Sequence, residues 1–252
     1  DEKTDTALNQ AAFSCSSAGD LEVILRKGDL VDGAGVSKLT GIARGSSGDH
    51  AVLATLAAPA TTADDLVLVY KGLSGVELVA REGVTVISGA ATLASVSEFH
   101  VTADGAVVFL GKVKGDGTTT VTDGVVCKWT SGGGVTLLAR EGSTANGTGS
   151  NYGAIQALSV SPGGVVLVQA TLTNGRVAAL SDTGGTLDLL VQTTDTVTYN
   201  GSPLSVLSLS IYKGTTGSGG GGGGMGAAIN DSGDALIMIS LGGGVHIARI
   251  YR

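Results

Sequence analysis

Few side chains in this 252-residue sequence have much chemistry to offer: three histidines, two cysteines and an arginine that recurs. His50, His100 and His246 are far apart in the chain, with no metal-ligand spacing and no nucleophile at a short fixed offset. Glu98 lies two residues before His100, which in a strand puts both on one face, where the pair would line the centre of a ring of sheets. A polar pair at a strand end is the plainer expectation. Cys15 and Cys127 are too few for a disulfide framework or a cysteine zinc site, and each falls in a different strand-like segment, so two buried thiols are expected.

The most regular charged feature is the series Arg26, Arg81 and Arg140, with Glu22 and Glu77 four residues before the first two. One reading makes these arginines a rim of like sites for an acidic or sugar ligand, with Tyr70 and Trp129 as stacking platforms. The other makes them charges on an exposed sheet edge that deter pairing with a second chain. The second is expected, because a repeated unit duplicates whatever its edge requires, and packing between units is the ordinary role of such rings.

Acidic turns at Gly115–Gly117 and Thr122–Gly124 suggest calcium. Hard cations take about six or more oxygens, which neither turn supplies in register, so no cofactor is expected beyond weak calcium binding. The six glycines Gly219–Gly224 are followed neither by Lys-Ser/Thr nor by a helical pattern, which argues against a phosphate-cradling loop. Residues 213–224 read instead as a flexible glycine-rich insertion.

A formal net charge of −7, with lysine and arginine scattered singly, argues against nucleic acid and anionic membranes as partners. No apolar run approaches the roughly 18 residues of a spanning helix, so membrane insertion is not expected. The first residue, Asp1, is not Met, which fits an exported chain whose signal peptide has been removed. Asn146, Asn200 and Asn230 begin Asn-x-Ser/Thr sequons in glycine- or serine-rich stretches and are possible N-glycosylation sites if the source glycosylates.

The elements that position these residues repeat. Val76–Gly83 (VELVAREG) returns as Val135–Gly142 (VTLLAREG), with further copies at Leu21–Gly28 (LEVILRKG) and, degenerate, at Leu187–Thr194 (LDLLVQTT). A period of roughly 55 residues marks an array of supersecondary units. Within each copy apolar and polar residues alternate, the pattern of a half-buried strand. Hydrophobic residues make up 42% of the chain but aromatics only 4%, so the core is aliphatic.

Around these copies, four strands recur in one order within a single β-repeat domain, 1–252. Repeat 1 (37–84) holds Lys38–Arg44, His50–Ala57, Leu66–Lys71 and Val76–Gly83. Repeat 2 (91–142) holds Ser95–Thr102, Ala106–Val113, Val125–Thr130 and Val135–Gly142. Repeat 3 (152–194) holds Ile155–Ser161, Val165–Leu172, Val177–Ser181 and Leu187–Thr194. Repeat 4 (204–252) has Leu204–Tyr212, then the insertion, then Ala235–Leu241 and Val245–Tyr251, and lacks its last strand. Residues 1–36 form a polar arm, a strand at Ala11–Ser17, the orphan copy Leu21–Gly28 and a connector.

The orphan copy set beside Val245–Tyr251 completes the fourth unit from both termini, and closure of a ring removes free edges. The expected fold is therefore an all-β propeller of four four-stranded blades, with five blades, a β-sandwich or a solenoid as alternatives.

Asn230, Asp231, Ser232 and Gly233 before Asp234–Ile237, the segment Ala7–Phe13 (ALNQAAF), and the later LVAREG, LAREG and LRKGD segments carry a resemblance. The chain resembles secreted bacterial tandem-repeat proteins with an N-x-x-G-x-x-A-F signature. That resemblance implies an exported, often surface-anchored repeat protein without an established catalytic role, and it assigns no active site. The expected function is a non-enzymatic, exported structural or adhesive module, a rigid platform for protein or glycan at the cell surface. Two alternatives stand beside it: a self-assembling filament or surface-layer subunit that donates its N-terminal strand, and a propeller lectin.

Overall fold

Val, Ile and Thr restrict their own χ1 and pack well on a pleated surface, and here they come in short runs closed by glycine. The computed structural model describes residues 10–15, 19–115, 117–182, 185–211, 227–242 and 244–250, and over these the chain is all-β with no helix. The expectations for the polar arm, Ser16 and Ser17, the middle of Gly115–Gly117, the insertion 213–224 and Tyr251 lie outside the described residues.

A hairpin of β1 (Ala11–Cys15) and β2 (Leu21–Arg26) comes first. The first five-stranded sheet follows: β3 (Leu30–Val31), β4 (Ala34–Arg44), β5 (His50–Leu56), β6 (Leu66–Gly72) and β7 (Gly75–Arg81). The second contains β8 (Val86–Ser88), β9 (Ala91–Val101), β10 (Val107–Lys114), β11 (Gly124–Thr130) and β12 (Gly134–Arg140). The third contains β13 (Thr144–Ala145), β14 (Ser150–Val160), β15 (Val166–Leu172), β16 (Val177–Asp182) and β17 (Leu187–Gln192). A hairpin of β18 (Thr196–Tyr199) and β19 (Ser202–Ser205) leads to the last sheet, β20 (Ser208–Ile211), β21 (Ala235–Leu241) and β22 (Gly244–Ile250). Every pairing among these strands is antiparallel and follows chain order.

Three strand expectations need correction. In the first three sheets the expected four strands become five, because the connectors fold back on the long strand that follows them. In the first sheet Asp32 and Gly33 both have positive φ, 48° and 79°, as a two-residue hairpin turn requires. Next, Leu204–Tyr212 is not one strand over its described residues: Leu204 and Ser205 pair with β18 and Ser208–Ile211 with β21, while Tyr212 lies outside the described residues. In the three full sheets the same point is a bulge, after Val36, Leu93 and Tyr152, and in the last unit the bulge widens to a break. Finally, Leu21–Gly28 does not complete the last sheet. Its β2 pairs with β1 in a separate two-stranded sheet, and among the described residues β22 pairs only with β21.

The seams between units are near-identical. The residues that close the four aligned copies, Gly28, Gly83, Gly142 and Thr194, all have positive φ. Each donates its N–H to the next unit, to the carbonyls of Val36, Leu93, Tyr152 and Val206 at 2.8 Å. Glycine suits that left-handed turn; Thr194 adopts it with φ 77° despite a β-branched side chain.

The core lies between successive sheets. One cluster joins the β1–β2 hairpin to the first sheet through Ile24, Leu25, Val52 and Val69. The next joins the first and second sheets through Leu68, Tyr70, Phe99, Phe109 and Trp129, and a third joins the second and third through Val108, Leu110, Leu158 and Leu180. The last joins the third sheet to β20–β22 through Leu167, Val191, Ile237 and Ile239. The turns that precede β10, β15 and β21 also touch in series: Ala103 N–H donates to Pro162 O at 2.7 Å, and Gly163 N–H to Asp231 Oδ1 at 2.6 Å.

Candidate functional site

The Arg-Glu-Gly triplets are stitches. Arg81 ends β7, and its Nε donates to Asp64 O at 2.9 Å while its two terminal nitrogens pair with Asp32 at 2.7 Å and Asp64 at 2.8 Å. Arg140 repeats the first of these bonds, its Nε donating to Thr122 O at 3.2 Å. The glutamate that follows reaches the next sheet. Glu82 receives Lys114 Nζ at 2.8 Å, and the buried Glu141 accepts N–H groups of Gly124 and Ile155, both at 2.9 Å. Arg26 is different: its side chain is exposed and pairs only locally, with Asp29 at 2.9 Å. Guanidinium groups held by their own loops leave fewer donors for an incoming anion.

Tyr70 and Trp129 do come together. They lie in β6 and β11 of adjacent sheets, buried, with ring centroids 5.3 Å apart. Burial and the neighbouring Asp49 push the Tyr70 hydroxyl up to about 12. Glu98 and His100 also meet, with His100 Nε2 3.1 Å from Glu98 Oε1. The three histidines stay apart: His246 packs against Tyr199 with centroids 4.5 Å apart and planes tilted by 44°, and His50 is buried beneath the N-terminal hairpin. Among the described residues no group of three or more His, Cys, Asp or Glu is placed to share a metal ion. Of the acidic turns, Asp123 pairs with Lys112 at 3.0 Å.

Asn146, Asn200 and Asn230 are all exposed. The Asn146 amide donates to Asp188, and Asn230 shapes its turn by accepting the N–H groups of Ser232 and Asp234 at 3.0 and 2.9 Å. Asn200 and Gly201 have φ of 50° and 78°, the two-residue turn of the β18–β19 hairpin. The expectation of two buried thiols needs correction. Cys127 is buried, which pushes its thiol up to about 12, but Cys15 is exposed, because it lies on the outer face of a two-stranded hairpin.

Two concave places stand out among the described residues. A polar pocket of about 160 Å³ lies under β2, where Glu22, Ser47, Asp49, His50 and Lys71 meet. Its groups are largely occupied by one another: Ser47 donates to Asp49 at 2.7 Å and Lys71 stands 3.6 Å from Glu22. Burial, then the charge of Arg44, lowers the pKa of His50, so its ring is neutral near pH 7. The larger place is an apolar groove of about 630 Å³ where the third and last sheets diverge, lined by Gln156, Gln169, Ile211, Leu236, Met238 and Ile247. The Gln169 carboxamide holds the groove's polar wall, accepting from Ile211 N–H and donating to Gln156 Oε1, both at 2.9 Å.

The groove opens onto an apolar sheet face. Leu236 and Met238 are 48% exposed, and Val245 and Ile247 are exposed beside them, Met238 directly opposite Ile247. Aligned on the turn glycines Gly48, Gly105, Gly164 and Gly233, Leu236 stands where the earlier sheets have Ala51, Val108 and Leu167. Those three are buried against the following sheet. Sequence reasoning passed over this site, although the signal was present: ALIMISL is apolar at both phases of the strand, the mark of burial on two sides.

Against known families, residues 1–127, just over half of the chain, match the model of a family of unknown function, DUF7453. No curated protein matches the chain.

Proposed function

We propose, for a chain that belongs to the DUF7453 family and inherits no activity from it, a non-enzymatic role as an exported repeat scaffold that presents an apolar sheet face to a polypeptide partner. The observation that carries this reading is the exposure of Leu236, Met238, Val245 and Ile247 on a face that every earlier sheet buries. Contiguous exposed apolar surface of this kind marks protein interaction sites. The groove beside it has the apolar lining and few polar groups of a site for side chains.

The sheets are read as blades of a propeller. Face-to-face packing in chain order, repeated seams and turns touching in series support that arrangement. The ends remain open in this reading, since β2 pairs with β1 and leaves β22 as an edge among the described residues. A lectin draws less support, because the two rings suited to stacking on sugar are buried against one another. Export draws on the resemblance of the LVAREG-type segments to secreted repeat proteins.

The test is binding of an environment-sensitive apolar dye to the folded chain. Its fluorescence rises with the native protein and falls in Met238→Glu/Ile247→Glu, while the circular dichroism spectrum and melting temperature are kept. Equal dye binding by the double variant overturns the reading. So does turnover of a hydrolase or lyase substrate that disappears in His100→Ala or His50→Ala.

A further inference from the structure

We propose that the occupant of the C-terminal face is the N-terminal hairpin of a second copy of the chain, joined head to tail; this rests on the docking role just proposed and names its partner. The hairpin carries the complementary surface. Cross-strand pairing sets Phe13 opposite Val23 and Cys15 opposite Leu21, and directly opposed residues share a face. On that face Phe13 is 54% exposed, Val23 46% and Leu21 70%.

The internal seams show what such a surface is for. Counted back from the closing residue of each copy, Leu21 and Val23 match Val76 and Leu78, Val135 and Leu137, and Leu187 and Leu189. Leu78 packs toward the hairpin, with Val76 on the same strand face left 45% exposed, while Val135 and Leu137 pack toward the first sheet and Leu187 and Leu189 toward the second. Positions equivalent to Leu21 and Val23 therefore face the preceding unit, and positions equivalent to Leu236 and Met238 face the following one. One chain displays both halves of the interface it builds between its own sheets.

Both halves are exposed together in a single chain, so its two ends do not cap one another. A contact between unlike surfaces is heterologous and propagates from copy to copy unless the rotation happens to close a ring. The seam needs no donated strand; it is face-to-face packing of the kind used in the three boundaries between sheets.

The experiment is sedimentation velocity over a wide concentration range on the whole chain and on two surface variants, Val23→Glu and Ile247→Glu, each checked for an unchanged melt. The native chain is expected to grow beyond two copies as concentration rises. Each variant alone has one face blocked and sediments as a monomer, and an equimolar mixture of the two gives a discrete dimer, because each contributes its intact face. A native chain that stays monomeric while still binding the apolar dye overturns the second copy as partner and leaves the docking reading standing. Monomers without dye binding remove both. Dimers abolished by Ile247→Glu but untouched by Val23→Glu mean that like faces pair, which also overturns the head-to-tail arrangement.

Discussion

Tyr70 and Trp129 meet across the boundary between the first and second sheets, ring centroids 5.3 Å apart and planes tilted by 47°. That separation lies in the range where aromatic edges and faces attract. In a cluster that also buries Phe99 and Phe109, the pair anchors one seam and places the edge of Tyr70 against the Gly105 turn.

Truncating the larger ring should open a cavity in that seam. Trp129→Ala is expected to lower stability by about 3–5 kcal/mol, measured by urea unfolding. Leu73→Ala, at a fully exposed turn position, should stay within about 0.5 kcal/mol. Similar effects for the two would mean that the ring is not packed as described.

Backbone handedness at the seams makes a paired prediction. Gly83→Ala places a Cβ 2.7 Å from Ala63 O at a φ of 67° and is expected to destabilise by about 1–3 kcal/mol. Thr194→Gly relieves a β-branched residue at φ 77° and should stabilise by about 0.5–1 kcal/mol, after the extra chain entropy of glycine is deducted. Thermal melts of the two variants check both signs.

The arginines should separate by partner. Arg81→Ala removes a guanidinium held by Asp32, Asp64 and a backbone carbonyl, and is expected to cost about 1–2 kcal/mol. Arg26→Ala removes an exposed local pair and should change stability by less than about 0.5 kcal/mol. The same urea titration reads both, and a larger effect at Arg26 would contradict the stitch.

Acid should act first through His50. Its folded pKa is lowered by burial and by Arg44, so the unfolded chain binds its proton more readily. The neutral ring favours folding fully above the ordinary value of 6.5, and that contribution falls away as pH drops from there through the folded value. Asp104 and Asp231 have lowered pKa values too, held by Thr102 and Ser161 respectively, and their contributions fade only below the ordinary carboxylate range. Unfolding free energy measured against pH should therefore drop in two stages, and His50→Phe should remove the first.

Much of the fold was legible because its signals are local. Alternation located most of the strands, and the aligned closing residues Gly28, Gly83, Gly142 and Thr194 turn out to share one backbone conformation and one hydrogen bond. The short β3 and the β18–β19 hairpin were missed although Asp32-Gly33 and Asn200-Gly201 are strong turn signals. The pairing of Leu21–Gly28 was misread because a strand's edge preference leaves no trace in its alternation. Partner choice depends on competition, here with the adjacent Ala11–Cys15. The arginine series was regular for a structural reason, and the apolar face was overlooked because a strand apolar on both sides reads like any core strand.

The seam hydrogen bond has a bearing on how such a chain can change in length. Donor and acceptor recur at every boundary, Gly83 to Leu93 and then Gly142 to Tyr152. Duplicating the stretch from one such glycine to the next would insert a whole sheet whose two flanking joints are already specified. Excising it would leave a single matched joint. Growth and loss by entire modules is thus written into the turn chemistry, and a family built this way can vary its copy number without redesigning any interface.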